Sequence, residues 1–133
     1  MTTITAATNN PPVLLRRALL ADAGISGGTG ALLAAGAGPL SGLLGLPSGL
    51  LFWAGIVLLP FAAILVYLGT RARVSRQAAW IVVGGNVFWA LASLALLATG
   101  WVAPTMLGYA FTIFQALVVA LFAELQYFGI RRS

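Results

Sequence analysis

Three arginines stand close together near the middle of this chain, within residues 71–76 (RARVSR), and a long apolar run lies on each side of them. Each run can cross a bilayer, for which a helix needs about 20 mostly apolar residues. Because guanidinium groups enter hydrocarbon only at high cost, this arginine turn is expected to stay on one side of a membrane. The positions of the other charges relative to it then determine the topology.

The composition excludes several classes of protein. Of the 133 residues, 61% are hydrophobic and 7% are charged, whereas soluble domains carry about 25% charged residues. The chain has no Cys and no His, which are the usual ligands of zinc and haem iron. We therefore predict no metal, no cofactor and no catalytic residue. The net charge of +5 is interpreted as anchoring at the membrane edge, not as nucleic-acid binding.

The apolar runs predict an all-α integral membrane domain over residues 13–130, with spans at about 13–37, 49–69, 77–99 and 105–129. Residues 1–12 are predicted to form a flexible tail, and residues 131–133 a short basic tail. Residues 39–48 (PLSGLLGLPS) are interpreted as a turn-rich connector, with Ser48 as N-cap of the second span. Short loops make consecutive spans antiparallel, so the predicted architecture is an up-down-up-down four-helix bundle.

All the arginines fall at one end of such a bundle, and the loops at the opposite end carry no charge. These topology anchors are Arg16, Arg17, Arg71, Arg73, Arg76, Arg131 and Arg132. By the positive-inside rule, the N and C termini are both cytoplasmic. The expected location is a bacterial inner (cytoplasmic) membrane, crossed several times.

Small residues indicate where helix backbones approach each other. Gly24 and Gly28 form a GxxxG pair in the first span, and Gly84 and Gly85 lie in the third. Such residues allow close van der Waals packing between membrane helices. The sequence leaves open whether these faces pack within the chain or between chains, and packing within the chain is slightly preferred.

Few polar residues lie within the spans. By a rise of about 1.5 Å per residue, Asp22 is about 8 Å from Arg17 and Glu124 about 10 Å from Arg131, so the two acids are expected at similar depth. Ser26 and Thr29 share the face of Asp22. The acids form either a proton- or cation-coupled site, or structural ties to arginines or hydroxyl groups. Their shallow depth favours the second interpretation.

Two amides complete the candidate polar site. Asn86 is expected near the bilayer midplane, with Trp89 on its face, and Gln115 lies with Thr112 in the half of the bundle opposite the arginines. They could line one pocket that binds a ligand, or they could hydrogen-bond between helices. We favour hydrogen bonding between helices, because it is the usual role of amides at this depth.

The layout of four spans and arginine clusters resembles that of small uncharacterised proteins of bacterial inner membranes. Small multidrug resistance transporters also have four short spans and an acid in the first helix, where this chain has Asp22. Members of that family are shorter, use Glu at that place and carry little charge bias. The resemblance therefore implies a fold and a location, but no function.

The predicted function is that of a non-enzymatic helix-bundle component that assembles with itself or with a larger membrane complex. This prediction depends on the shortage of ionisable groups, the missing cofactor ligands and the short loops. The alternative is a small oligomeric proton- or cation-coupled transporter or channel that uses Asp22 and Glu124. A lipid- or quinone-processing enzyme ranks last, because such enzymes need more convergent polar residues. The expected partners are the lipid bilayer and either a second copy of the chain or a larger membrane complex. The sequence does not identify that complex or a small-molecule or ion substrate.

Overall fold

The computed structural model describes residues 13–132, and the regular secondary structure of this range is entirely helical. Its five helices are α1 (Val13–Ala35), α2 (Ala37–Leu44), α3 (Ser48–Thr70), α4 (Arg76–Thr99) and α5 (Met106–Arg131). Four of them, all except α2, are long and apolar enough to cross a membrane. These are the dimensions of a multi-pass membrane protein. The predicted tail at residues 1–12 and the last residue, Ser133, lie outside the described residues.

Local chemistry sets the ends of the helices. The side chain of Ser75 accepts a hydrogen bond from the backbone N–H of Ala78 and caps α4, and Thr105 caps α5 in the same way through Gly108. Such caps satisfy backbone donors that have no partner inside the helix. The predicted cap at Ser48 is wrong: Ser48 is the first residue of α3, Pro47 occupies the cap position, and no side chain caps this helix.

The connector between the first two spans is more ordered than predicted, because it contains the short helix α2. Its proline, Pro39, lies in the first turn, where a missing backbone N–H is tolerated. Gly45 ends the helix at φ +69°, a left-handed conformation that glycine adopts without steric cost. The backbone N–H of Thr105 donates to the carbonyl of Leu44 over 3.0 Å. This bond fastens the end of α2 to the start of α5.

Contacts between helix ends bring the arginine-bearing segments together. The guanidinium of Arg16 donates to the carbonyl oxygens of Gly69 and Arg71, so the start of α1 lies beside the end of α3. Leu15 lies against Gly129 near the end of α5. The rings of Trp80 and Tyr127, 5.5 Å apart, join the start of α4 to the end of α5. We call this the arginine end of the molecule.

The helices pack unevenly. Backbone contact is extensive between α1 and α3, between α4 and α5, and between α1 and α5, whereas α3 and α4 touch marginally at most. Helices α1 and α3 approach each other closely at Gly30 and Gly55: a Cβ atom on Gly55 would lie 2.6 Å from the carbonyl oxygen of Gly30. Helix α4 is the least covered, with 17% of its most apolar stretch buried, against 39% for α1.

The glycines that permit close packing are not the predicted ones. Gly24, Gly28, Gly84 and Gly85 are exposed, and a Cβ atom added at any of them would meet nothing within 4 Å. The prediction that these faces pack within the chain is therefore wrong. Packing of the same faces between chains stays a prediction.

Candidate functional site

A buried polar cluster joins three of the long helices. The carboxylate of Asp22 on α1 accepts hydrogen bonds from the Ser26 hydroxyl, the Asn86 amide of α4 and the Gln126 amide of α5, each 2.8 Å long. The Asn86 amide also donates to Oε1 of Gln126 over 3.0 Å. We call these four residues the Asp22 cluster. Their side chains are almost inaccessible, with 1% of Asp22 and none of Gln126 exposed.

Each member of the Asp22 cluster belongs to a buried stripe of its own helix. Asp22 and Ser26 are one turn apart and continue the stripe of Leu19. Asn86 follows Ala79 and Val82 on α4. Gln126 stands between Ala123 and Ile130 on α5, again with all three buried. The helical repeat of 3.6 residues thus directs two polar side chains of α1 and one each of α4 and α5 to the same place.

The donors to Asp22 are three neutral groups: a hydroxyl and two amides. In the described part of the chain, no buried side-chain nitrogen or oxygen lacks a hydrogen-bond partner. Hydrogen bonds to a charged group contribute about 1.5–3 kcal/mol each, and an unsatisfied buried partner costs a similar amount. The Asp22 cluster is therefore a self-contained tie between α1, α4 and α5.

Sequence reasoning found three members of this cluster and missed the fourth. The polar site predicted from the sequence contains Asp22, Ser26 and Asn86, whereas it contains Glu124 in place of Gln126. The available signal was the spacing of small and polar residues along the fourth span. Thr112, Ala116, Ala123 and Gln126 follow one another at intervals of four, seven and three residues and lie on its buried face.

The structure does not bring the two acids together. Residues two apart on a helix are separated by a rotation of about 200° around the helix axis. Glu124 therefore lies on nearly the opposite side of α5 from Gln126 and the Asp22 cluster. Glu124 is exposed, and no hydrogen bond or ion pair joins it to another residue in the range 13–132. The nearby guanidinium of Arg131 donates to the hydroxyl of Tyr127 instead, over 3.2 Å. The paired-acid arrangement is therefore absent from the described chain.

A second polar pair connects α4 and α5 further from the arginine end. The indole N–H of Trp89 donates to Oε1 of Gln115 over 3.0 Å, and the Gln115 amide donates to the carbonyl oxygen of Thr112. Both side chains are half-buried. These bonds agree with the interpretation of Gln115 as a hydrogen-bonding residue between helices.

Three adjoining cavities surround this pair, and all of them are lined by Trp89 and Leu58. Their volumes are about 290, 220 and 300 Å³. Gln115 and Thr29 line the first two, and Asn86 lines the third. We call this space the inner chamber. It reaches the Asp22 cluster through Ser26 and Asn86, and it opens to the surface between the helices, where Val57, Phe88 and Phe114 are exposed.

A groove of about 540 Å³ runs along the outer side of α4 and α5. Alanines form its floor, namely Ala90, Ala116, Ala120 and Ala123. Glu124 and Tyr127 lie toward the arginine end of the groove, and its other lining residues are apolar. We call it the Glu124 groove. It places the carboxylate on an apolar surface that no other helix of the described chain covers.

Comparison of the chain with protein-family models, with curated proteins and with solved structures finds no match. The function therefore has to be argued from the geometry of the Asp22 cluster, the inner chamber and the Glu124 groove.

Proposed function

We propose that this chain is a non-enzymatic component of a membrane assembly, and that the Glu124 groove is the face on which it meets a second membrane protein or a second copy of itself. In this proposal the four long helices form an up-down-up-down bundle in a bacterial inner membrane. The arginine end, with both termini, lies in the cytoplasm. The charge asymmetry between the two ends supports this orientation through the positive-inside rule.

The observation that carries the proposal is the exposed position of Glu124. A charged side chain facing hydrocarbon costs about 2.5 kcal/mol or more on insertion scales, and intramembrane charges almost always face a protein interior or a partner. Within residues 13–132, Glu124 faces neither the protein interior nor a partner side chain, because the other helices leave its side of α5 uncovered. A partner on this face would remove the carboxylate from lipid.

The Asp22 cluster supports a structural role for the other acid. Its hydrogen bonds are made to side chains of the same chain, and each of its polar groups is satisfied. A carboxylate that binds a substrate or a transported ion directly needs an accessible oxygen, whereas 1% of Asp22 is exposed. A cluster that ties three helices together is instead suited to holding the bundle in one arrangement.

The assembly proposal predicts photocrosslinking from one face of the protein only. We expect a benzoylphenylalanine at Leu117, in the Glu124 groove, to yield a protein adduct of discrete size in native membranes. The matched control is Ile64 on α3, which is similarly exposed, 54% against 62% for Leu117, and should yield none. Adducts from both positions, or from neither, would contradict the proposal.

A second candidate function is transport or binding of a small molecule, and the inner chamber favours it. Cavities between the helices of bundles are common ligand sites, and this one ends on Ser26 and Asn86, which both hold Asp22. A ligand there would contact the partners of the carboxylate.

The second candidate predicts that Asp22→Asn abolishes a pH-dependent flux into proteoliposomes while the protein stays folded. Flux is measured with a pH-sensitive dye inside the vesicles, and Glu124→Gln serves as the control, since Glu124 lies outside the chamber. If the wild-type protein carries no proton flux, or if Asp22→Asn carries it unchanged, this candidate fails.

A further inference from the structure

We infer that the partner of the Glu124 groove is a transmembrane helix that places a basic side chain, Lys or Arg, against the Glu124 carboxylate. The inference rests on the proposed function and adds the chemistry of the partner. It follows from the depth of Glu124, from the shape of the groove and from the positions of the chain's own arginines.

The depth of Glu124 sets where the basic group has to be. Glu124 lies in α5, a helix long and apolar enough to cross a membrane, seven residues before Arg131. At about 1.5 Å per residue, this is about 10 Å along the helix axis. A Lys or Arg of the partner helix at a similar depth has a long, flexible side chain. Its charged group can contact the Glu124 carboxylate while its apolar stem stays in the hydrocarbon.

Two arginines at the helix ends bind groups other than Glu124. Arg131 donates to Tyr127, and its guanidinium lies 5.8 Å from the centre of the Tyr127 ring. Arg16 binds the carbonyl oxygens at the end of α3. Glu124 makes no ion pair in the part of the chain that the structure describes, so a partner helix is the expected source of the charge that complements it.

The shape of the groove suits a helix. Its alanine floor extends from Ala116 to Ala123, and exposed large side chains stand on both rims, among them Leu91 at 62% and Phe128 at 50% exposure. Two adjacent helices with small residues between larger ones form the surface into which a third helix packs its ridges. Small residues at the contact also allow the close approach that membrane helices need.

The test uses a defined helix as the partner. The probe is a synthetic transmembrane peptide of about 20 leucines and alanines. One Lys lies about 10 Å along the helix from the terminus that is to lie at the arginine end. The comparison peptide has Leu at that position. Because the chain has no cysteine, a donor dye is attached at Ala72→Cys, in the exposed arginine turn, and energy transfer to the labelled peptide is measured in phosphatidylcholine vesicles.

We expect the full chain to bind the Lys peptide about tenfold more tightly than the Leu peptide, as close charge pairs do at interfaces. Glu124→Gln keeps the shape of the side chain and should abolish this preference. Far-UV circular dichroism of the variant establishes that it is folded. Equal binding of the two peptides, a preference that survives Glu124→Gln, or no binding of either peptide would overturn the inference.

The same experiments distinguish a basic helix from other occupants of the Glu124 groove. If donor- and acceptor-labelled copies of the chain associate through Glu124 and displace the Lys peptide, the groove takes a second copy, and the inference of a basic helix is wrong. Failure of the Lys peptide together with photocrosslinking from Leu117 leaves the assembly proposal standing. Absence of the Leu117 adduct contradicts the assembly proposal itself.

Discussion

Replacing Asp22 by Ala is expected to lower the free energy of unfolding by about 2–5 kcal/mol, because the Asn86 and Gln126 amides lose their acceptor and each unsatisfied buried donor costs about 1–3 kcal/mol. Both amides donate to Oδ2 of Asp22 in a fully buried site. The measurement is reversible unfolding by sodium dodecyl sulfate in mixed micelles, followed by far-UV circular dichroism.

The control for this prediction is Asp22→Asn, which retains one oxygen acceptor of the same size. We expect it to lose less stability than Asp22→Ala. Double replacement of Asn86 and Gln126 by Leu removes the donors themselves, so a further Asp22→Ala change in that background should cost much less than it does in the wild-type protein. Additive losses would show that the four residues do not act as one cluster.

Gly55→Ala is expected to have the second large effect, a loss of about 1–3 kcal/mol, as is typical of overpacking. The new Cβ atom would lie 2.6 Å from both the backbone N of Ala34 and the carbonyl oxygen of Gly30. These are backbone atoms, so α1 and α3 would have to move apart along their contact. The same detergent titration measures the loss.

Gly28→Ala is the matched control, because it also places a methyl group in the middle of a long helix. Nothing lies within 4 Å of its Cβ position. We expect it to be neutral, or stabilising by up to about 1 kcal/mol through the higher helix propensity of Ala. If Gly55→Ala and Gly28→Ala have the same effect, the packing of α1 against α3 differs from the one described.

The number of long apolar helices and their approximate positions could be predicted from the sequence. Each span is recognised by its length and apolar character, which do not depend on the packing of its neighbours. The short helix α2 escaped prediction because Gly38, Pro39 and Gly42 suggest turns, whereas Pro39 lies in the first turn and the flanking glycines Gly36 and Gly45 end the helix on each side.

The rotation of each helix about its axis could not be predicted in the same way. In a soluble helix, polar residues mark the exposed face, but in a membrane helix the lipid-facing side is apolar as well. The sequence therefore does not show that Glu124 is exposed and Gln126 buried, or that Gly28 is exposed and Gly30 buried. Asp22 can be identified from the sequence because it is one of two acidic residues in the chain.

The different roles of the two acids are the central claim, and one comparison tests it most directly. Asp22→Ala and Glu124→Ala are carried through the same detergent unfolding titration of the isolated chain. We predict a large loss of stability for Asp22→Ala and no measurable loss for Glu124→Ala, whose side chain bonds nothing among residues 13–132. Equal losses, or a greater loss for Glu124→Ala, would contradict the account.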